Sequence, residues 1–323
     1  MATNVAKGYD MDTRLVWYKK IALELLWAFS LLISIMPRFV KYYIIKPFVG
    51  IVIMLSRYRY KTITVNIEKA FPEKSEKERR RIVRRNYMFL AEVFVDTINL
   101  VGAGEKCKDK VVNWTNSKEM NEKLGGKDWI AVGAHYGCWE YLLLWSRELE
   151  NSKLMGVYHP MKSIVFEHFY RRLRNVSDKL VQVPMKQTIL YFLRNRKSGL
   201  GTVMGLVADQ SPNLRPDSHW FRFLNQDTVF HDGAEAMAVK FNLPVYFAYT
   251  KRKAPGIYDI RFDEIYDGKE KVAQYEITER YKNRLEEMIK ECPELWIWSH
   301  NRWRHTPEKQ AKRFGKSTLE NRP

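Results

Sequence analysis

Gly133-Ala134-His135-Tyr136-Gly137-Cys138-Trp139-Glu140 stands between two apolar runs, Trp129 to Val132 and Tyr141 to Trp145. The first run is short, leans to β structure and is bounded by Gly125-Gly126 upstream and Gly133 downstream. The second reads as the start of a helix. A histidine at the point where a strand gives way to a helix lies where open α/β sheets hold their ligands.

The spacing of His135 and Glu140 has chemical content. On one regular helix the two would stand about 140° apart around the axis and could not face each other. With His135 in the turn and Glu140 one turn into the helix, the carboxylate can reach back to one ring nitrogen. The other nitrogen is then free to take a proton, the base-and-orienter arrangement of acyl transfer. Gly137 keeps the turn open, and free amides at the helix N-terminus can bind a developing oxyanion. A His and a Glu five apart also occur as an ordinary surface or core hydrogen bond. The preceding strand and the flanking glycines favour the chemical reading.

Around this stretch the chain alternates between strand and helix patterns. Strands are expected at Leu154–Tyr158, Lys179–Val183, Thr202–Ala208, Pro244–Tyr249 and Ile257–Ile265. Helices are expected at Ile164–Asn175, Thr188–Arg196, Gly233–Phe241 and Ile277–Lys290. That alternation predicts an α/β sheet with helices on both faces. The 323 residues suffice for a substantial core, and 46% hydrophobic content excludes a disordered chain. Cys107, Cys138 and Cys292 show neither metal-ligand spacing nor a disulfide framework, which fits a reducing compartment. Cys138 reads as a small buried residue rather than a nucleophile.

The formal net charge is +18 and the sequence pI about 9.6, which attracts acidic partners such as nucleic acid, an anionic membrane face or an acidic carrier protein. The N-terminal region separates these. Residues 1–14 read as a loose leader. Ile21 to Met36 is apolar but has sixteen residues, fewer than the ~20 needed to span a bilayer. A second apolar stretch, Tyr42 to Leu55, ends at Arg57-Tyr58-Arg59-Tyr60-Lys61. Basic and aromatic ends on two moderately apolar helices predict a membrane-surface or shallowly embedded hairpin, with a pair of core helices or a tilted span as alternatives. Such a hairpin argues against a nucleic-acid-binding protein. Next, Ser75 and Glu78 form a capping-box pattern that starts a helix running to about Leu100. Arg79, Arg80, Arg81, Arg84 and Arg85 crowd its first half, a solvated face or an anion-binding one.

Other strand ends carry candidates. Asp209 can position a substrate group or an arginine, on the edge that bears His135 if the two strands run parallel, although Asp-Gln-Ser-Pro is also ordinary turn chemistry. Lys162, with the arginines at 171–174 (Arg171, Arg172 and Arg174), can hold a phosphate or simply be solvated. The tryptophans at 296, 298 and 303 suit an acyl-facing surface or core packing.

Taken together, these stretches resemble the late acyltransferases of lipid A biosynthesis, within the superfamily of glycerolipid acyltransferases that carry His-x4-Asp/Glu. The matching pieces are His135-x4-Glu140, Asn66-Ile-Glu-Lys-Ala-Phe71-Pro72-Glu73 with the arginine-rich helix, Ala208-Asp209-Gln210, and Pro293 to Pro307 with its Trp-x-Trp-x-His-x-Arg-Trp. The resemblance covers roughly residues 20 to 307. It implies a glycerolipid-acyltransferase-like fold, a mixed central sheet flanked by helices. The expected division is a leader with membrane-associated helices (1–62), an α/β acyltransferase domain (63–308) and a basic flexible tail (309–323).

The resemblance also implies an acyl carrier protein thioester as donor and a hydroxyl of a phosphorylated glycolipid as acceptor, at the cytoplasmic face of a bacterial inner membrane. Catalysis then falls to His135 as general base and Glu140 as its partner, and the strand-end residues read above, Asp209 with Lys162, Arg171 and Arg174, are the substrate-binding candidates. No metal or redox cofactor is implied. One departure stands out: Trp220-Phe-Arg222-Phe-Leu-Asn225 lacks the glycine usual after the Asp-Gln strand. A lysophospholipid or amino-acid lipid therefore remains an alternative acceptor.

Overall fold

The computed structural model describes residues 15–102, 111–196 and 198–315. The expected leader, Cys107 and the last residues of the expected tail lie outside them.

Among the described residues, eleven helices surround a seven-stranded sheet. In chain order they are α1 (Trp17–Ile35), α2 (Arg38–Leu55), α3 (Tyr60–Ala70), α4 (Glu76–Gly102), β1 (Val112–Trp114), α5 (Ser117–Leu124), β2 (Trp129–Gly133) and α6 (Trp145–Glu148). Then come β3 (Ser152–Tyr158), α7 (Ile164–Leu173), β4 (Leu180–Pro184), α8 (Thr188–Asn195), β5 (Gly201–Val207) and a hairpin of β6 (Phe221–Phe223) and β7 (Gln226–Thr228). The chain closes with α9 (Gly233–Phe241), β8 (Val245–Ala254), β9 (Ile257–Tyr266), α10 (Glu276–Glu291) and α11 (Pro307–Phe314). The sheet order is β1-β9-β8-β2-β5-β3-β4, and only β8 and β9 pair antiparallel.

The expected α/β architecture is present. Strand β2 shows why the sheet takes helices on both faces. All five of its residues are buried. Trp129 and Ala131 join one core with Trp145, Phe169 and Phe262, while Ile130 and Val132 join the other with Ile67, Phe247 and Leu285. A strand apolar on both faces has to be covered on both.

Three segments differ from expectation. The apolar run after Glu140 forms a short 3-10 turn, Trp139–Leu144, and then the single turn α6, rather than a long helix. Strand β1 and helix α5 are too short and too polar to announce themselves in the sequence. The stretch expected to be loose from Lys309 instead begins within α11, which Thr306 caps by accepting from the Lys309 amide. The reason is packing: Gln310 is buried and its Oε1 accepts the Trp220 indole N–H at 2.6 Å.

No helix among the described residues is long and apolar enough to cross a membrane alone, but α1 and α2 pass that test together, bent by 111°. Pro37 sits at the bend, where the residue before proline is forced out of helical geometry. Trp17, Leu25, Leu32, Ile35, Phe48 and Leu55 are all exposed. So large an exposed apolar surface suggests membrane association. The pair is nevertheless tied to the body. Arg172 on α7 bonds Glu24 at 3.0 Å and lies 3.9 Å over the Trp27 ring. Tyr42 donates to the buried Asp96 carboxylate on α4 at 2.6 Å.

Candidate active site

Strands β2 and β5 are parallel and in register, with Gly133 opposite Val207. Two residues beyond each stand His135 and Asp209, so the register itself sets them side by side at the carboxyl edge of the sheet. His135 Nδ1 lies 2.7 Å from Asp209 Oδ1. A buried carboxylate only accepts, so Nδ1 carries the proton and Nε2 bears the lone pair. The second Asp209 oxygen accepts the Trp296 indole N–H at 2.8 Å. Asp209 is 1% exposed. Burial by itself would raise its carboxyl, but the His135 charge and the hydrogen bonds from His135 and Trp296 outweigh that and hold it below the usual carboxylate range.

The imidazole is partly open to solvent, with its side chain 19% exposed. The Trp139 ring packs against it with centroids 4.9 Å apart. The Gln210 amide nitrogen lies 3.2 Å from Nε2, so Nε2 accepts from that amide.

The loop that carries His135 is held from behind by the tryptophan-rich C-terminal segment. The Gly137 amide donates to Leu295 O at 3.0 Å and the Ile297 amide to His135 O at 3.2 Å, with Tyr136 bridged to Trp296. Two buried asparagines take the carbonyls of Glu294, Trp296, Trp298 and His300. Asn86 donates to Glu294 O at 2.9 Å and Trp296 O at 2.8 Å. Asn66 donates to Trp298 O at 2.9 Å and His300 O at 3.0 Å. Gly137 has φ +59°, and a Cβ there would stand 2.8 Å from Tyr258 Cε1. This position needs glycine for its backbone angle and for space.

Glu140 does not fill the place expected of it. Its carboxylate is gripped by Arg174, Nε to Oε2 at 2.8 Å and Nη2 to Oε1 at 2.6 Å. The expected contact with His135 is thus corrected to one from Asp209. Two physical reasons apply. The 3-10 turn replaces the α-helical turn on which the reach-back depended. A buried carboxylate also needs a strong partner, and the arginine fork occupies both of its oxygens.

The remaining candidates scatter. Arg174 is committed to Glu140 and lies 5.1 Å over the Tyr170 ring. Arg171 is buried on the same helix, and its carbonyl accepts from Gln182. Arg172 serves Glu24, and Lys162 is exposed in the turn before α7. The phosphate grip expected of Lys162, Arg171 and Arg174 thus loses Arg174 to an internal ion pair. Cys138 is buried, as expected of a small packing residue, and that burial pushes its thiol well above the ordinary range.

Sequence reasoning missed Gln210, the indole of Trp296 and the two asparagines as parts of this site. Gln210 and Trp296 lay in quoted stretches, but nothing in their spacing assigns them a hydrogen bond. Two more groups complete the wall. His300 Nε2 accepts from the Ser211 amide at 3.1 Å, and burial pulls its pKa down to about 4, so it is a neutral acceptor. Arg302 is buried, donates to Val229 O at 2.8 Å, and burial lowers it to about 10, which leaves it a cation at neutral pH.

A hydrogen-bonded carboxylate and an imidazole whose lone-pair Nε2 stands beside an amide donor can take a proton from a hydroxyl and support attack on a carbonyl. The sequence model of the family described as bacterial lipid A biosynthesis acyltransferase matches residues 12–305, nearly the whole chain. No curated protein matches the chain.

Proposed function

The chain belongs to the bacterial lipid A biosynthesis acyltransferase family, and from that premise we propose that it moves a fatty acyl chain from an acyl carrier protein thioester to a hydroxyl of a phosphorylated lipid A precursor. His135 Nε2 takes the proton of the acceptor hydroxyl. The oxygen attacks the thioester carbonyl and forms a tetrahedral oxyanion, for which the Gln210 amide is the nearest side-chain donor. Collapse expels the carrier thiolate, and the imidazolium returns the proton to sulfur, so an alcohol and a thioester become an ester and a thiol. Asp209 keeps the imidazole in the right tautomer and stabilises its charged form.

The observation that carries this reading is the His135–Asp209 bond at the sheet edge. The positive charge of the chain complements both an acidic carrier and a phosphorylated acceptor. The exposed apolar faces of α1 and α2 support work at a membrane, and the acyl carrier donor puts that work on the cytoplasmic face. The test is transfer of labelled acyl groups from acyl carrier protein to tetra-acyl lipid A precursor in membranes. Equal transfer by the wild type and His135→Ala would overturn the mechanism. A deletion strain with unchanged lipid A and an altered phospholipid pool would move the acceptor to a lysophospholipid.

A further inference from the structure

Helix α3 and the first turns of α4 enclose a groove of about 810 Å³. Its lining carries four cations, Lys77, Arg79, Arg80 and Arg84, against two carboxylates, Glu68 and Glu76. Arg80 pairs with Glu76 at 2.5 Å, but both side chains are at least 70% exposed, so that pair is easily given up. Two buried polar atoms in the lining, Thr64 Oγ1 and Arg79 Nε, have no hydrogen-bond partner. Such atoms are rare in folded proteins unless something else satisfies them. The Arg79 guanidinium is already held in place, since Nη1 donates to Phe71 O at 3.4 Å and Pro72 O at 3.3 Å.

The groove adjoins the apolar helix pair. Helix α2 crosses α4 at Gly50, where a Cβ would stand 2.5 Å from Met88 Cε. Immediately before Met88, Tyr87 donates to Tyr58 O at 2.9 Å and pins the turn that follows α2. The exposed side chains of Leu55, Tyr58 and Tyr60 then lead from the apolar face of α2 to the groove rim. Arg57 and Arg59 in the same turn add positive charge there. This is the layout of a lipid: acyl chains along an apolar helix and an anionic group where the helix ends. The His135 loop is separate, on the other side of the Glu294–His300 segment from Asn66 and Asn86.

We propose that the groove between α3 and α4, with Thr64, Arg79, Arg80 and Arg84, binds the phosphate-bearing headgroup of an anionic membrane lipid. A phosphate brings acceptor oxygens to the open Thr64 hydroxyl and the Arg79 Nε–H, and charge to a surplus of cations. An acidic protein helix fits less well, because the unpaired donors are buried in the lining of a concavity rather than spread over a flat face. The proposal does not depend on the acyl-transfer reading, and its test needs no turnover.

The experiment titrates the full chain, in neutral detergent, with dioctanoylphosphatidylglycerol, dioctanoylphosphatidylcholine and inorganic phosphate, followed calorimetrically. Phosphatidylglycerol is expected to bind more tightly than either of the others. Thr64→Val keeps shape and charge and is expected to weaken it about fivefold, the loss of one hydrogen bond. Arg80→Gln/Arg84→Gln is expected to weaken it about tenfold or more. Phosphate binding as tight as the lipid would keep the phosphate chemistry and assign the groove to a soluble phosphate group instead. Equal lipid binding by the wild type and both variants overturns the proposal. So does loss in the arginine variant with none in Thr64→Val, which is diffuse attraction. Unchanged lipid binding by both variants, with weaker binding of acyl carrier protein titrated in the same way, would give the face to an acidic protein.

Discussion

His135 and Asp209 are 74 positions apart in the chain and 2.7 Å apart in space because Gly133 and Val207 are paired on adjacent parallel strands. The pairing fixes both residues two steps past the sheet, where loops are free to carry chemistry. Asp209→Asn keeps the size of the side chain but presents the wrong hydrogen-bonding pattern to Nδ1. Its kcat is expected to fall by about 10²–10⁴-fold with little change in acceptor KM. Steady-state transfer assays on the purified variant check this, and a loss confined to KM would place Asp209 in substrate binding instead.

The Trp296 indole donates to the other Asp209 oxygen. That bond favours the charged carboxylate, so Trp296→Phe is expected to raise the Asp209 pKa. The acid limb of the pH–rate profile should then move to higher pH, with a loss of roughly tenfold or less at neutral pH. A limb that moves to lower pH, or stays in place, would contradict the assignment.

Glu140 and Arg174 form a nearly buried pair, with side chains 4% and 16% exposed. Glu140→Gln leaves the guanidinium unpaired and is expected to cost about 3–5 kcal/mol of stability, seen as a fall in Tm. Glu140→Leu/Arg174→Met removes both charges and should recover most of it. If that double variant also recovers acyl transfer, Glu140 serves the reaction only through the fold. A stable double variant without activity would restore a direct role for the carboxylate.

Asp96 is fully buried and accepts from Tyr42 and from Tyr258, the latter at 2.9 Å. Burial first, and the neighbouring Glu92 charge second, push its carboxyl up to about 7. The folded state therefore holds this proton more tightly than the unfolded chain, whose carboxyl titrates near ~3.9. The stabilisation is full below the unfolded value, declines as pH rises, and is lost once pH passes about 7. Asp96→Asn has no such proton. The Tm of the variant relative to wild type should climb from pH 4.5 to 7.5 and then level off. A flat difference would mean that Asp96 stays ionised in the fold.

Gly137→Ala tests the loop. The φ of +59° and the 2.8 Å approach to Tyr258 leave no room for a methyl group. A loss of about 1–3 kcal/mol is expected from backbone strain and crowding. A larger loss in kcat than in Tm would follow, because the displaced residue is two positions from His135. Thermal melts and turnover on one preparation compare the two.

Much of the architecture was legible because it rests on local pattern. The alternation of apolar runs announced β2, β5, α7 and α8, and the Ser75–Glu78 capping box appears as read, with the Ser75 amide donating to Glu78 Oε2 at 2.8 Å. The two apolar helices were legible for the same reason, but only the fold shows that their apolar faces are exposed rather than core. The histidine and its place at a strand end were also legible, and so was the condition under which Asp209 would join it.

The partner of the histidine was not legible. Sequence spacing measures distance along the chain, and Glu140 is nearer by that measure. What decided otherwise was strand register, which brings Asp209 alongside His135, and the competition for a buried carboxylate, which Arg174 wins with two hydrogen bonds. The same holds for the tryptophan-rich segment. Its composition suggested packing, but its role as the brace behind the His135 loop depends on which carbonyls meet Asn66 and Asn86. Local sequence determined most strands and helices and the place of His135 at a strand end. Only long-range backbone pairing and the need to neutralise buried charge decided which side chains meet it.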